Sequence, residues 1–324
     1  MSALRTVAIL GIGRAGLQHA QAAAAVGLKV CAFTSRTVDS ERAQAFAAEF
    51  PGARRFNLDD TELCTAADLL VVALPPDVTH DTVPFLVKNG SRLLLEKPLA
   101  LSTSRIEEIA RIATQSGCKV TVGYNRRLYP AVLRLREVLT SDPPRTAEVT
   151  IVEDLDFISR TKGAALIGGY LRHGASTHML DLSLFLFGVS QAVAVQASLS
   201  NQGSGFVDYR FESVGDGGVS VRTTIDAGDR SRRGIKIVTS SGRALVLAPL
   251  ERLRIKAADD SRQSGRELEE DNLHYPESYR ESFRDQMRYI IENQGEDLHE
   301  IEDSLNLSKL VDSLEMASEG LPNG

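Results

Sequence analysis

Along the first third of the chain, short unbroken apolar runs alternate with longer stretches of mixed polarity. The runs cover residues 7–10 (VAIL), 28–33 (LKVCAF), 69–74 (LLVVAL), 92–95 (RLLL) and 118–122 (CKVTV), with a shorter strand-like piece at 54–56. Unbroken apolarity over so few residues fits strands of a parallel sheet with both faces covered. The intervening stretches, to about residue 26, at 37–50 and at 102–116, have helical composition. After about residue 145 the pattern changes to period-two alternation. It marks strands near 147–152, 192–199, 205–211, 219–225, 235–239, 244–247 and 253–256, several of them separated by turns such as GDGG and SSG. Residues 257–272 are polar and charged and read as an exposed loop or hairpin rim. Helical spacing returns from His274 to about Glu292, through Phe283, Met287, Tyr289 and Ile290, and again over 300–316. The closing GLPNG is expected to fray. The pattern predicts an α/β chain: a doubly wound parallel sheet over residues 1–123, then an α+β domain over 124–324 with one large, mostly antiparallel sheet.

The first apolar run leads directly into Gly11-Ile12-Gly13-Arg14-Ala15-Gly16, and a helical stretch follows. This is the G-x-G-x-x-G fingerprint between strand and helix, the context in which it binds a dinucleotide on a Rossmann sheet. Gly11 takes the tight turn, Gly13 lets a diphosphate approach the backbone, and Gly16 lets the helix pack against the strand. The second strand ends Thr34-Ser35-Arg36, where NAD-specific sites place a carboxylate for the ribose 2′-hydroxyl; Asp39 comes later. A hydroxyl beside a guanidinium suits a 2′-phosphate, so NADP(H) is favoured and NAD(H) remains open, with Arg36 then stacking on adenine. The strand at 69–74 ends Leu74-Pro75-Pro76, with His80 beyond, and this turn is expected along the cofactor.

Composition narrows the picture by exclusion. The 324 residues suffice for about two domains. With 37 basic against 43 acidic residues the net charge is −6, and no long basic run is present, so neither nucleic acid nor an anionic membrane is expected as a partner. No apolar run reaches bilayer length, and no charged leader precedes residue 7. Cys31, Cys64 and Cys118 are few and widely spaced, which points to reduced thiols in a cytoplasm, and no Cys/His spacing reads as a metal site.

Four pieces, GIGRAGLQHA, VVALPPDVTHDTV, LLLEKPLALS and VGYNRRLYP, occur in an order and spacing that resembles the Gfo/Idh/MocA family. The resemblance implies a nicotinamide-dependent oxidoreductase. It places Glu96, Lys97 and Pro98 at the cofactor, with Lys97 touching substrate and nicotinamide and assisting proton transfer. Independently, a lysine just after a buried strand stands where a cation can stabilise an alkoxide. Tyr124 and Asn125 are implied to contact substrate or nicotinamide, whereas Arg127 reads equally as a structural ion-pair residue. The stretch GGYLRHGASTHMLDLSLFLFG, residues 168–188, resembles the family's pattern of Asp, three residues, His, two residues, Asp. His178 and Asp181 fall on the histidine and second aspartate, and His178 is implied to be the general acid/base. The first aspartate is replaced by Gly174. Either a neighbour such as Arg172 or His173 compensates, or the proton chemistry differs, with Tyr124 and Tyr170 as further carriers. Arg172 and His173 also suggest an acidic or phosphorylated substrate.

The resulting expectation is an enzyme moving a hydride to or from a secondary alcohol or ketone carbon of a sugar, cyclitol or related small molecule. Reduction of an imine or another non-sugar substrate, or a non-catalytic dinucleotide-binding regulator, are the alternatives. The resemblance also implies a homodimer or homotetramer formed through the C-terminal sheet.

Overall fold

The computed structural model describes residues 4–37, 40–162, 169–200, 206–256, 269–275, 278–293, 298–319 and 321, apart from the side chains of 161, 162, 173, 269–272, 278 and 279. Residues 257–268 of the expected loop at 257–272, Asp39 and most of the terminal GLPNG lie outside the described residues. The chain forms two compact units. One comprises Met1–Asn125 with Arg280–Leu305, the other Arg126–Tyr279 with Asn306–Gly324. The sequence predicted a single break at 123/124. The structure instead divides at 125/126 and returns a C-terminal segment to the first unit, a tertiary choice that local patterning does not encode.

In the first unit the order is β1 (Thr6–Leu10), α1 (Arg14–Ala25), β2 (Lys29–Thr34), α2 (Glu41–Glu49), β3 (Arg54–Phe56), β4 (Leu69–Val72), α3 (Pro76–Asn89), β5 (Arg92–Leu95), α4 (Thr103–Ser116) and β6 (Lys119–Val122). The strands form one parallel sheet in the order β3-β2-β1-β4-β5-β6. The order reverses between β1 and β4, and in such sheets ligands bind at the carboxyl ends beside that point. Every residue of β4 and β5 is buried, as unbroken apolar runs require. Serine caps start two of the helices: Ser40 accepts from the Ala43 amide and Ser102 from the Arg105 amide. Burial pushes the Cys118 thiol up to about 12, so it behaves as packing rather than as a nucleophile.

The second unit contains α5 (Pro130–Ser141), β7 (Pro144–Glu153), α6 (Leu155–Lys162), α7 (Tyr170–His173), α8 (Ser176–Phe187), β8 (Val193–Leu199), β9 (Val207–Val214), β10 (Ser220–Ala227), β11 (Gly234–Thr239), β12 (Ala244–Leu247), β13 (Arg252–Lys256) and β14 (Glu269–His274). The helices α9 (Ser278–Asn293) and α10 (Ile301–Ala317) follow. The eight strands form one sheet in the order β14-β13-β12-β11-β7-β10-β9-β8, antiparallel except where β7 meets β10. Period-two alternation sets the faces. Val221, Thr223 and Ile225 pair with Ala147, Val149 and Ile151 on the buried side. On the other side Arg222 lies 4.0 Å from Glu148 and 3.5 Å from Glu212. The helix α8 packs on β7, and α5 packs on β12 and β13. The strand β14 and the helix α6 were not expected. Five of the six residues of β14 are polar (EEDNLH), so it carries no apolar alternation and is defined only by its ladder to β13.

Candidate active site

The turn after β1 is shaped by backbone sterics. Gly11 has φ +89°, and a Cβ there would meet the Ala73 carbonyl oxygen at 2.5 Å. Its amide donates to Thr34 Oγ1 at 3.0 Å, which ties the turn to the end of β2. A Cβ on Gly16 would collide with the Gly11 carbonyl, whereas one on Gly13 would meet nothing within 4 Å. Gly13 is also the N-cap of α1, and no side chain caps that helix. Open space at Gly13 and an uncapped helix start are what a diphosphate needs, so the turn fits the group. Ile12 is buried behind it, and Arg14 is exposed beside the half-buried Ala15.

At the end of β2, Arg55 of the neighbouring β3 donates through Nε to Ser35 Oγ at 3.0 Å and through Nη2 to the Ser35 carbonyl at 2.9 Å. Arg36 is exposed next to it. The sequence reading missed Arg55. The signal was the parallel pairing of Phe33 with Arg55, which brings a distant residue to the strand end.

The third part of the rim lies after β4 and β5. Pro75 caps α3, Pro76 is its first residue, and Leu74 precedes both. His80 lies further along α3, and its carbonyl accepts from Arg105 Nη2 at 2.7 Å. Beyond β5 come Glu96, Lys97 and Pro98, all partly buried, with a cis peptide between Lys97 and Pro98. Glu96 Oε1 lies 2.7 Å from Nε2 of the fully buried His19 on α1, and Phe283 of α9 packs edge-on against that imidazole at 4.8 Å. This contact links the fingerprint helix to the Glu-Lys-Pro turn across 77 positions. The one available signal for it was the placing of His19 on the buried face of α1, with Gly16, Ala20 and Ala23.

Several implied contacts are revised. Tyr124 is 3% exposed and its ring packs on His299 at 4.3 Å, so it serves the core of the first unit and presents almost no surface to a substrate. Asn125 beside it is 8% exposed. In the second unit Asp181 is fully buried. Arg127 grips it, with Nε at 3.0 Å and 3.1 Å from the two carboxylate oxygens and Nη2 at 2.6 Å from Oδ1. Asp181 is therefore half of a buried ion pair. Arg172 is likewise committed: it contacts Asp312 at 2.5 Å and Glu315 at 2.5 Å. Burial opposes its charge, but hydrogen bonds to Glu315 and Asp312 outweigh that and raise its pKa, so it offers no uncompensated cation for an acidic substrate. Burial, with neighbouring ionisable groups, lifts the Tyr170 phenol well above its ordinary value, and its hydroxyl donates to the Val207 carbonyl at 2.8 Å. The side chain of His173 lies outside the described residues. His178 stays half-buried in the first turn of α8.

Residues 5–124 match the family model described as "Oxidoreductase family, NAD-binding Rossmann fold". Inositol 2-dehydrogenase of Rhizobium meliloti (strain 1021) is 26% identical over 251 residues, covering 74% of this chain and 67% of that protein. scyllo-Inositol 2-dehydrogenase (NADP(+)) of Bacillus subtilis (strain 168) is 24% identical over 54% of this chain and 49% of that protein, so the chain spans about half the length of that relative. The solved structure of UDP-N-acetylglucosamine 3-dehydrogenase from Acidithiobacillus ferrooxidans superposes with a TM-score of 0.75 at 19% identity, covering 98% of each chain, which establishes a common fold. Residues 5–124 therefore form a Rossmann domain that matches the NAD-binding domain of the Gfo/Idh/MocA oxidoreductases, and the chain as a whole shares the fold of such enzymes.

Proposed function

We propose that this protein is an NADP(H)-dependent dehydrogenase that interconverts a secondary alcohol and a ketone on a cyclitol or sugar ring. When bound, the nicotinamide supplies or accepts the hydride. Lys97 holds the substrate oxygen as an ammonium donor and stabilises negative charge that develops there. The imidazole of His178 takes the hydroxyl proton during oxidation and returns it during reduction. The reading rests chiefly on one observation: Lys97 stands, partly buried, just beyond the carboxyl end of β5, in the sheet whose β1 turn fits a diphosphate. The inositol dehydrogenases among its relatives support the substrate class.

Preference for NADP(H) is supported by Arg36 and Arg55 at the end of β2, where Arg55 is already oriented by Ser35. Two guanidiniums beside a hydroxyl suit a 2′-phosphate dianion. Steady-state kinetics with inositols and sugars should give a kcat/KM at least about tenfold higher with NADPH or NADP+ than with the unphosphorylated cofactor, equivalent to about 1.4 kcal/mol. Lys97→Ala should lower kcat by about 10²–10⁴-fold, the usual contribution of a proton-transfer or charge-stabilising group. A preference for NADH would overturn the cofactor assignment, and full activity of Lys97→Ala would overturn the mechanism.

A further inference from the structure

We infer that Glu153 is the positioning carboxylate of the His178 helix, supplied from a strand in place of the turn residue where the sequence carries Gly174. The inference rests on the proposed role of His178.

Glu153 is the last residue of β7 and is 2% exposed. Its Oε1 accepts from the backbone amide of Ser176 and, at 2.5 Å, from the Ser176 hydroxyl. Ser176 opens α8, whose N-cap residue is Ala175, a side chain with no acceptor. A helix start needs an acceptor for its first amides and favours negative charge. Here both come from a residue 23 positions upstream.

The geometry at Gly174 completes the argument. A Cβ on Gly174 would lie 2.6 Å from Glu153 Oε1 and 3.1 Å from its carboxyl carbon, and also 2.5 Å from the Tyr170 carbonyl oxygen. The Tyr170 carbonyl and the Glu153 carboxylate together leave residue 174 no room for a side chain. The glycine is not simply a lost carboxylate, because a carboxylate already occupies the volume beside it.

His178 lies in the same first turn, two positions after Ser176. A buried negative charge at the head of that turn fixes its start and favours the protonated imidazole. Glu153 acts on Arg233 at the entry to β11, whose pKa falls to about 10 chiefly through burial and which also feels Arg126, Arg230 and Glu251, and with Asp208 and Asp226 it acts on Tyr170. Arg230 is itself paired with Asp154 at 3.4 Å.

The test uses the full-length protein. Glu153→Gln keeps the shape and an acceptor for Ser176 but removes the charge. NMR titration of the His178 imidazole should then show its pKa lower by about half a pH unit or more. With an active inositol or sugar, kcat should fall at least about tenfold with little change in KM, and the pH limb assigned to His178 should move in the same direction. Glu153→Ala should lose more, and Gly174→Asp alone should be impaired by the clash. An unchanged His178 titration in a folded, NADPH-binding Glu153→Gln variant overturns the inference. His178→Ala separates the two readings. If it retains full turnover, the proposed proton carrier is wrong, while the NMR titration still decides whether Glu153 governs the imidazole.

Discussion

In the first unit the turn that fits a diphosphate is built from Gly11, Gly13 and Gly16, neighbours in sequence, and its shape is set by where a Cβ has room. In the second unit the helix carrying His178 is held by groups from distant segments: Glu153 on Ser176, 23 positions apart, and Arg127 on Asp181, 54 apart. Backbone geometry shapes the glycine turn, and buried charge holds the helix that carries His178. The contrast implies different failures. At the Arg127–Asp181 pair of the second unit a change should act mainly through stability, whereas the first unit contains a position where binding and stability come apart.

The largest effect is expected at the buried pair. Asp181 is fully buried and Arg127 is 4% exposed, with the guanidinium also 4.8 Å over the Phe185 ring. Removing one partner leaves an uncompensated charge out of water, which typically costs about 3–5 kcal/mol. Asp181→Ala should lower thermal or denaturant stability by that amount. The double variant Arg127→Met/Asp181→Leu should recover most of it, because apolar replacements of similar volume dispense with the desolvation cost. A double variant as unstable as Asp181→Ala would mean that the pair contributes a specific geometry that apolar packing cannot replace.

Next in size are the glycines. Gly16→Ala must displace the backbone carbonyl of Gly11, and overpacking of this kind costs about 1–3 kcal/mol. It should reduce both stability and NADPH affinity. Gly13→Ala meets open space, so the melting temperature without cofactor should hold while NADPH binding weakens at least about tenfold, as the methyl group enters the volume a diphosphate would use. Calorimetry and fluorescence titration read the two quantities separately. Equal destabilisation by both substitutions would erase the distinction between a packing glycine and a binding glycine.

The same contrast explains what the sequence could reveal. Strand, turn and helix around Gly11 are dictated by neighbours along the chain, so the pattern sufficed to place them. The parallel and antiparallel sheets were likewise legible from unbroken and alternating apolar runs. Side-chain partnerships were not. His19 and Glu96 meet across 77 positions, and Arg55 reaches Ser35 only because β3 pairs with β2. Glu153 reads in sequence as one more acid just past a strand. Tyr124 shows the reverse error: its family motif suggested a contact surface, and only tertiary packing against His299 buries it. The return of 280–305 to the first unit escaped for the same reason, since an amphipathic helix does not specify which core it covers.

The smallest effect sharpens the comparison from within the first unit, where one side-chain device spans distant positions. Asp68, just before β4, accepts through Oδ2 from the Arg5 amide at 2.9 Å, the Thr6 amide at 2.9 Å and the Thr6 hydroxyl at 2.8 Å. The Arg5 amide is the main cause, and with the Thr6 groups it outweighs burial and holds the carboxyl below its ordinary value. A depressed folded-state pKa stabilises the protein above the unfolded value of about 3.9, and that contribution is lost as pH falls through the folded value. Asp68→Asn should therefore cost about 1 kcal/mol at neutral pH, since the site is partly exposed and an amide oxygen still accepts. Wild type and variant should converge in acid, as urea unfolding at pH 7 and at pH 3 would show. Because Asp68 holds the opening of β1 and the glycine turn follows its far end, NADPH affinity should stay within about twofold. Loss of affinity at Asp68→Asn would mean that the glycine turn depends on how β1 is anchored, and the first unit's site would then rest on distant side chains as much as the second unit's helix does.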